Sequence, residues 1–357
     1  MQRLAGTWQG DRRGATTLPC QPAAACTGSE ANVAWLALVL TLLLEQLRAL
    51  PAQHPLAETV AAIADGAQQH LNAGRRRHGM YAWLLVVGGA ACAVGVVYWI
   101  AASISWVAAL AVNVGVLYLT LGFRQFSHHF TEIQVALDNG DLPAARRELT
   151  AWKRPHDETF NAADLDADEI VREAIEFGLL LSHRHVFGVL VWFVLLPGPI
   201  GPVVYRLADY LARRWNRPPP GAQTPDRFGS FARSAFAWID WLPARSTALG
   251  FAIAGDFEGA IYCWRQVARV HSAAESTSGM PWPDSRTLIL GAASGAIGTR
   301  IMSSAETARY FDEAGQESAA LAEPEPRTLR SVVGLVWRAL LLWLILLLLL
   351  TLAAWLF

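Results

Sequence analysis

Two charged side chains, Asp240 and Arg245, lie in an otherwise apolar stretch that runs from residue 238 to 255. An acid and a base are costly in or against a bilayer unless they pair with each other or serve a ligand. Pro243 lies between them and predicts a break or a bend in a helix. The stretch is therefore the first candidate for a functional site, and a structural ion pair around a proline bend is the alternative.

A second set of charges follows a helical spacing in a more polar part of the chain. Asp168, Arg172 and Glu176 recur at four-residue steps on a helix predicted to start near Leu165. Such a face is typical of solvated ion pairs. Carboxylates on one face could also hold a magnesium ion together with substrate phosphates.

A third set of charges follows a broken apolar run. The run from 186 to 204 contains prolines and glycines between 197 and 202, and Arg206, Asp209 and further arginines come directly after it. If the run crossed a membrane, these arginines would lie outside the cytoplasm, against the positive-inside rule. We therefore expect a re-entrant or buried broken helix that lines a cavity.

Other titratable residues lie near the ends of apolar runs. Glu45 ends the first run and is either a functional carboxylate or an interfacial acid paired with Arg48. His183 and His185 alternate before the run at 186, and because no third ligand is spaced to join them, we expect interfacial residues rather than a metal site.

Composition indicates a membrane protein and excludes several other classes. The 357 residues are 53% hydrophobic and only 17% charged, against about a quarter in typical soluble domains. The net charge of −1 and the absence of nucleic-acid-binding signatures argue against nucleic acid as a partner. The four cysteines show no metal-binding spacing. The glycines at 291–298 lack the Lys-Ser/Thr of a phosphate loop, so we interpret these glycines as a helix-packing surface.

Five apolar segments must position these residues, so we expect an all-α polytopic membrane protein with about four or five apolar helices. The expected segments are a marginal span near 33–50, a hairpin of spans at 80–101 and 104–122, the broken helix at 186–204, and a C-terminal transmembrane helix at 331–357. Residues 1–32 are expected to be disordered or to precede the true start. Arginines at 75–77 and 124 place both hairpin ends, and the helical segments of 123–185, in the cytoplasm.

Several motifs resemble one family. They are His54-Pro55, the Gly-Asp-Leu at 140–142, the Gly-Pro pairs at 198–202 followed by Tyr205-Arg206, and the Pro-Ala-Arg-Ser-Thr-Ala-Leu at 243–249. The chain resembles the CobD/CbiB family of integral membrane proteins of cobalamin biosynthesis, which is related to AmpE, and the likeness covers most of 33–300, within an expected membrane domain of 33–330.

The resemblance implies a multi-pass protein of the bacterial inner membrane that joins adenosylcobyric acid to aminopropanol or its phosphate by an amide bond, using ATP and magnesium. On this analogy the lipid bilayer and a corrinoid are its partners. Asp240, Arg245 and Glu176 are then the expected catalytic residues, and Glu45, His54, Arg206 and Asp209 are expected to bind substrate.

The sequence departs from the enzyme pattern in three places. Apolar residues at 177–181 replace polar ones after Glu176, the region at 210–217 differs, and the motif near 280 lacks its asparagine. AmpE-like proteins resemble this chain in having fewer polar residues at the matching positions. The alternative is therefore a non-catalytic inner-membrane modulator of β-lactamase induction.

Overall fold

The computed structural model describes residues 24–47, 55–196, 198–217, 227–273, 282–311 and 321–356, and within them the chain is helical without strands. The helices, labelled α1 to α14 in order, are Ala24–Leu47, Pro55–Leu71, Arg76–Ile104, Trp106–Thr120, Phe123–Asp138, Leu142–Lys153, Ala167–Leu195, Ile200–Arg214, Phe228–Ile239, Trp241–Ala254, Phe257–Ala273, Ser285–Ile297, Ser304–Phe311 and Pro326–Leu356. The expected all-α class is confirmed.

Three of these helices are long and apolar enough to cross a membrane. They are α3, α7 and, over Pro326–Ala353, α14. The apolar part of α1, Trp35–Glu45, and the 15-residue α4 are shorter than an ordinary span. α3 and α4 form the expected hairpin, but the chain breaks at Ser105, whose hydroxyl accepts a hydrogen bond from the amide of Ala108 and caps α4.

Two boundaries differ from the expectation. Residues 24–32 belong to α1 rather than to a disordered extension, and residues 1–23 lie outside the described part of the chain. The polar helix predicted near 165–176 and the apolar run from 186 are one 29-residue helix, α7. Within this helix, residues 183–187 form a π-helical turn, which shifts the direction in which the following side chains point.

The predicted break in the apolar run is present at 196–199, and α8 returns along α7. Gly201 packs on the backbone of Trp192, Tyr205 packs on Gly188, and Asp209 lies beside Arg184. Residues further along α8 therefore contact residues earlier on α7, so the two helices form an antiparallel hairpin. The re-entrant arrangement expected from the charges is consistent with this register.

The arginine-rich end of α8 lies at the same end of the bundle as the arginines at 75–77. The indole of Trp215, just after α8, donates a hydrogen bond to the carbonyl of Ala64 in α2, and Gly79 near the start of α3 packs on the backbone of Phe228. Ile200, at the opposite end of α8, contacts Gly95 in α3. This geometry accounts for the charges without violating the positive-inside rule.

The remaining helices pack around α10 and α12. α12 lies against α10 and α11, and α14 lies against α1, α7 and α10. Gly295 of α12 approaches the backbone of Gly259 in α11 so closely that neither position has room for a side chain. Gly291 and Gly295 therefore form a packing surface, as expected, whereas Gly298 ends α12 in the left-handed conformation.

Candidate functional site

A buried polar cluster joins α7, α8 and the junction between α9 and α10. Asp240 Oδ1 lies 2.9 Å from His183 Nε2 and accepts a hydrogen bond from the Tyr205 hydroxyl at 2.7 Å. The other ring nitrogen of His183 lies 2.8 Å from the hydroxyl of Thr247. All four residues are at most 2% exposed. The expectation that His183 is an interfacial residue is therefore wrong.

The local backbone explains why Asp240 points into this cluster. Asp240 is the single residue between α9 and α10, and Pro243 lies in the first turn of α10, where its missing amide hydrogen has no helical partner to lose. On α7, Gly188 has no side chain, so the Tyr205 ring can lie directly against the helix backbone.

Asp240 and Arg245 do not form the ion pair considered from the sequence. The Arg245 guanidinium lies over the Trp241 ring, 4.2 Å from its centroid, and donates to the Trp241 carbonyl at 3.1 Å. The separation follows from the helix: Arg245 projects from α10 toward the protein surface, whereas Asp240 ends α9 facing the interior. The structural alternative, an Asp240–Arg245 ion pair around the proline bend, is therefore excluded.

A second cluster, here called the arginine cluster, surrounds Asp209 on α8. Asp209 is 0% exposed, and Arg213 donates to Oδ2 at 2.5 Å, with Arg206 at 3.4 Å from the same oxygen and Arg184 at 3.7 Å from Oδ1. The side chains of these three arginines are between 23% and 33% exposed. One buried carboxylate therefore holds three partly accessible guanidinium groups.

The charges of the arginine cluster do not cancel. Burial opposes ionisation of Asp209, but the arginines outweigh burial and hold the pKa of this carboxyl below its ordinary value. Beside them, burial and then the charges of Arg213 and Arg206 lower the pKa of His156 to about 4, so this imidazole is neutral at pH 7. Three positive charges against one negative charge leave an excess of two.

Glu176 lies in a separate ion-pair network. Arg286 of α12 binds both of its carboxylate oxygens, at 2.6 and 2.8 Å, and also donates to Glu306 at 2.6 Å. Arg172, from the same four-residue series, lies 3.7 Å from Glu323. Arg172 and Glu176 therefore make ion pairs, as the simpler interpretation expected, but with other elements rather than within their own helix.

The structure brings Arg206 and Asp209 together and separates them from the other expected residues. Glu45 is 6% exposed inside α1, and His54 lies outside the described residues. Sequence reasoning missed His183 and Tyr205 as partners of Asp240, and Thr247 as the second partner of His183. It also missed Arg184 and Arg213 as partners of Asp209. The four-residue spacing of Arg213 from Asp209 was the available signal.

The carboxylates do not fit a preformed magnesium site. Asp240, Asp209 and Glu176 are each bound by basic or hydroxyl side chains, which a metal ion would have to displace. In the described part of the chain, no group of three or more His, Cys, Asp or Glu side chains is placed to hold a metal ion. The arginine cluster instead fits an anionic group, since guanidinium groups bind phosphate and carboxylate oxygens in pairs.

Comparisons with known proteins give a consistent result. The family model described as CobD/Cbib protein matches residues 34–336. A protein of Stutzerimonas stutzeri named cobalamin biosynthesis protein CobD is 30% identical over 323 residues, which cover 88% of this chain and 97% of the relative. A protein of the same name from Chromobacterium violaceum is 34% identical over 162 residues, 44% of this chain and 48% of the relative. No solved structure matches significantly.

Proposed function

Since the chain belongs to the CobD/CbiB family of cobalamin biosynthesis proteins, we propose that it forms the amide bond between adenosylcobyric acid and aminopropanol or aminopropanol phosphate at the bacterial inner membrane. The observation that carries the proposal is the arginine cluster, with its excess of two positive charges at the end of α8. The carboxylates of the corrinoid, the phosphate of the amine and the phosphates of ATP are all anionic, and such groups are drawn to this charge.

Within this proposal the residues have different roles. The anionic group is bound by Arg184, Arg206 and Arg213, and the buried carboxylate of Asp209 holds their guanidinium groups in place. Asp240 is too buried to reach a ligand, so we assign it a positioning role: with His183 and Tyr205 it fixes α8 against α7. ATP supplies the activation that a carboxylate needs before an amine can attack it.

The test is complementation of a strain that lacks the synthase, measured as cobinamide formed from supplied cobyric acid. The wild-type chain should restore formation, and Arg213→Gln should reduce it about tenfold or more because a charge-assisted hydrogen bond is lost. Arg214→Gln is the matched control, since Arg214 is the next residue on α8 but pairs with Asp65. No rescue by a well-expressed, membrane-inserted wild-type chain would contradict the proposal.

A non-catalytic role as an AmpE-like modulator of β-lactamase induction is the second candidate. One observation favours it: Asp240, Asp209 and Glu176 are all engaged by other side chains of the chain, as in a purely structural framework. This candidate predicts no cobinamide formation but altered β-lactamase induction when the chain is expressed in a strain that lacks the modulator.

A further inference from the structure

An open groove of about 510 Å³ lies on α6 and the loop that follows it. Its polar lining comes from Arg146, Arg147, Thr150, Arg154 and Asn161. All the charged side chains that line it are arginines. A groove with this lining has a strongly positive potential that an anion would neutralise.

The acids at helical spacing do not form ion pairs with Arg147 or Arg154. Arg147 has no acid three or four residues away on its helix. The acids three and four residues after Arg154 are engaged elsewhere, because Asp157 accepts from Thr159 and Glu158 pairs with Arg217. Within the described part of the chain, Arg147 and Arg154 form no ion pair.

The groove is also preorganised by hydrogen bonds. Arg146 donates from Nε and Nη2 to the carbonyl of Leu165, at 2.9 and 2.7 Å, which fixes its guanidinium group across the base of the loop. The hydroxyl of Thr150 donates to the carbonyl of Arg146 and accepts from the amide of Ala162, which fixes the loop against α6. A preorganised site binds its ligand at a lower entropic cost.

We propose that this groove binds a multiply charged phosphate group, with Arg147 and Arg154 as its main ligands. Arginine matches phosphate oxygens in geometry and charge, and Asn161 lies alongside with a side-chain amide that can donate, since its Oδ1 accepts from the amide of Ala163. The phosphate group belongs either to the headgroup of an anionic lipid or to a soluble polyphosphate. Its lining shares no residue with the arginine cluster, and the inference does not depend on the proposed synthase activity.

Two binding measurements on the purified full-length chain test the inference. Calorimetry with tripolyphosphate in a neutral detergent measures the soluble source. Native mass spectrometry of lipids retained from vesicles of phosphatidylcholine with cardiolipin measures the lipid source. The double variant Arg147→Gln/Arg154→Gln should lower the affinity for whichever probe binds by about tenfold or more, because charge-assisted hydrogen bonds to the phosphate are lost.

The control is Arg227→Gln/Arg265→Gln, which removes the same charge from two exposed arginines outside the groove. Tripolyphosphate binding that is lost only in the groove variant supports a soluble polyphosphate. Cardiolipin retention that is lost only in that variant supports a lipid headgroup. If neither probe binds, or if both double variants lose binding equally, the inference is wrong.

Discussion

At the level of residues, Asp240 depends on partners that come from distant parts of the chain. Its Oδ1 is bound by His183, 57 residues earlier, and by Tyr205, 35 residues earlier. A buried acid is strongly destabilising when its partners are removed, because the remaining charge cannot be solvated. The packing of α7, α8 and α10 around Asp240 therefore depends on these few hydrogen bonds.

Tyr205→Phe should lower the free energy of unfolding by about 1–3 kcal/mol, because Asp240 loses one donor in a site that solvent does not reach. The measurement is the thermal midpoint of the detergent-solubilised protein. Tyr210→Phe, on the same helix but only partly buried, is the control and should change stability little. Equal losses in the two variants would mean that the hydrogen bond to Asp240 contributes nothing.

His156 predicts a pH dependence of stability. Its pKa in the fold is about 4, against an ordinary value of 6.5, so between these values the unfolded chain binds the proton and the folded chain does not. Stability should therefore decrease as the pH falls from about 6.5 to about 4, by up to about 3 kcal/mol.

His156→Gln removes this titration and should flatten the profile of thermal midpoint against pH in that window. The exposed His70→Gln is the control and should leave the wild-type profile intact. An unchanged slope in His156→Gln would show that other groups cause the acid sensitivity.

The candidate site was only partly predictable at this level. Arg206 and Asp209 were identified because they stand together in the sequence after an unusual Pro-Gly segment. His183, Tyr205 and Thr247 were not, because no periodicity relates them to Asp240. Arg245 was assigned to Asp240 on proximity in sequence alone, and the helix turns the two side chains in different directions.

At the level of elements, the hairpin of α7 and α8 depends on two glycines that allow close packing. Gly188 receives the Tyr205 ring, and Gly201 receives the backbone of Trp192. The sequence predicted the break between the helices, because prolines and glycines cannot continue a helix without loss. It did not predict that the helix starting near residue 165 continues into the apolar run from 186 as one helix, because the polar first half and the apolar second half have different patterns.

Gly188→Ala should destabilise the protein by about 1–3 kcal/mol, since the new methyl group would overlap the Tyr205 ring and force the hairpin apart. Gly115→Ala in α4 is the matched control: its new methyl group meets open space, and helix propensity should make the change neutral or stabilising by up to about 1 kcal/mol. Thermal midpoints in detergent measure both. A stable Gly188→Ala variant would contradict the close packing.

At the level of the whole molecule, the packing of the helices brings the arginine-rich segments to the same end of the bundle. The arginine-rich end of α8, the start of α3 and the residues around Phe228 lie together at one end of the bundle. Hydropathy alone predicted the helical class and most apolar helices, but the end of the bundle at which the residues after 204 lie followed only from the antiparallel register of α7 and α8.

This arrangement predicts the accessibility of single cysteines placed in a cysteine-free background. Arg75→Cys and Arg227→Cys should react with a membrane-impermeant maleimide from the same side of sealed vesicles. Ser103→Cys, at the far end of α3, should react from the opposite side. Labelling of Arg227→Cys together with Ser103→Cys would show that α8 continues across the membrane.

The separation of His183 from Asp240 in the chain has a consequence for biosynthesis. A ribosome adding about 5–20 residues per second needs roughly 3–11 s to make the 57 residues that separate them. During that interval the imidazole has no carboxylate partner, and α8, with Arg206, Asp209 and Arg213, is too polar to enter lipid alone. We therefore expect α8 to stay packed against α7 during insertion, with His183 unpaired until Asp240 is made. Nascent chains that end before residue 240 should be degraded faster in a pulse-chase experiment than chains that extend past Thr247.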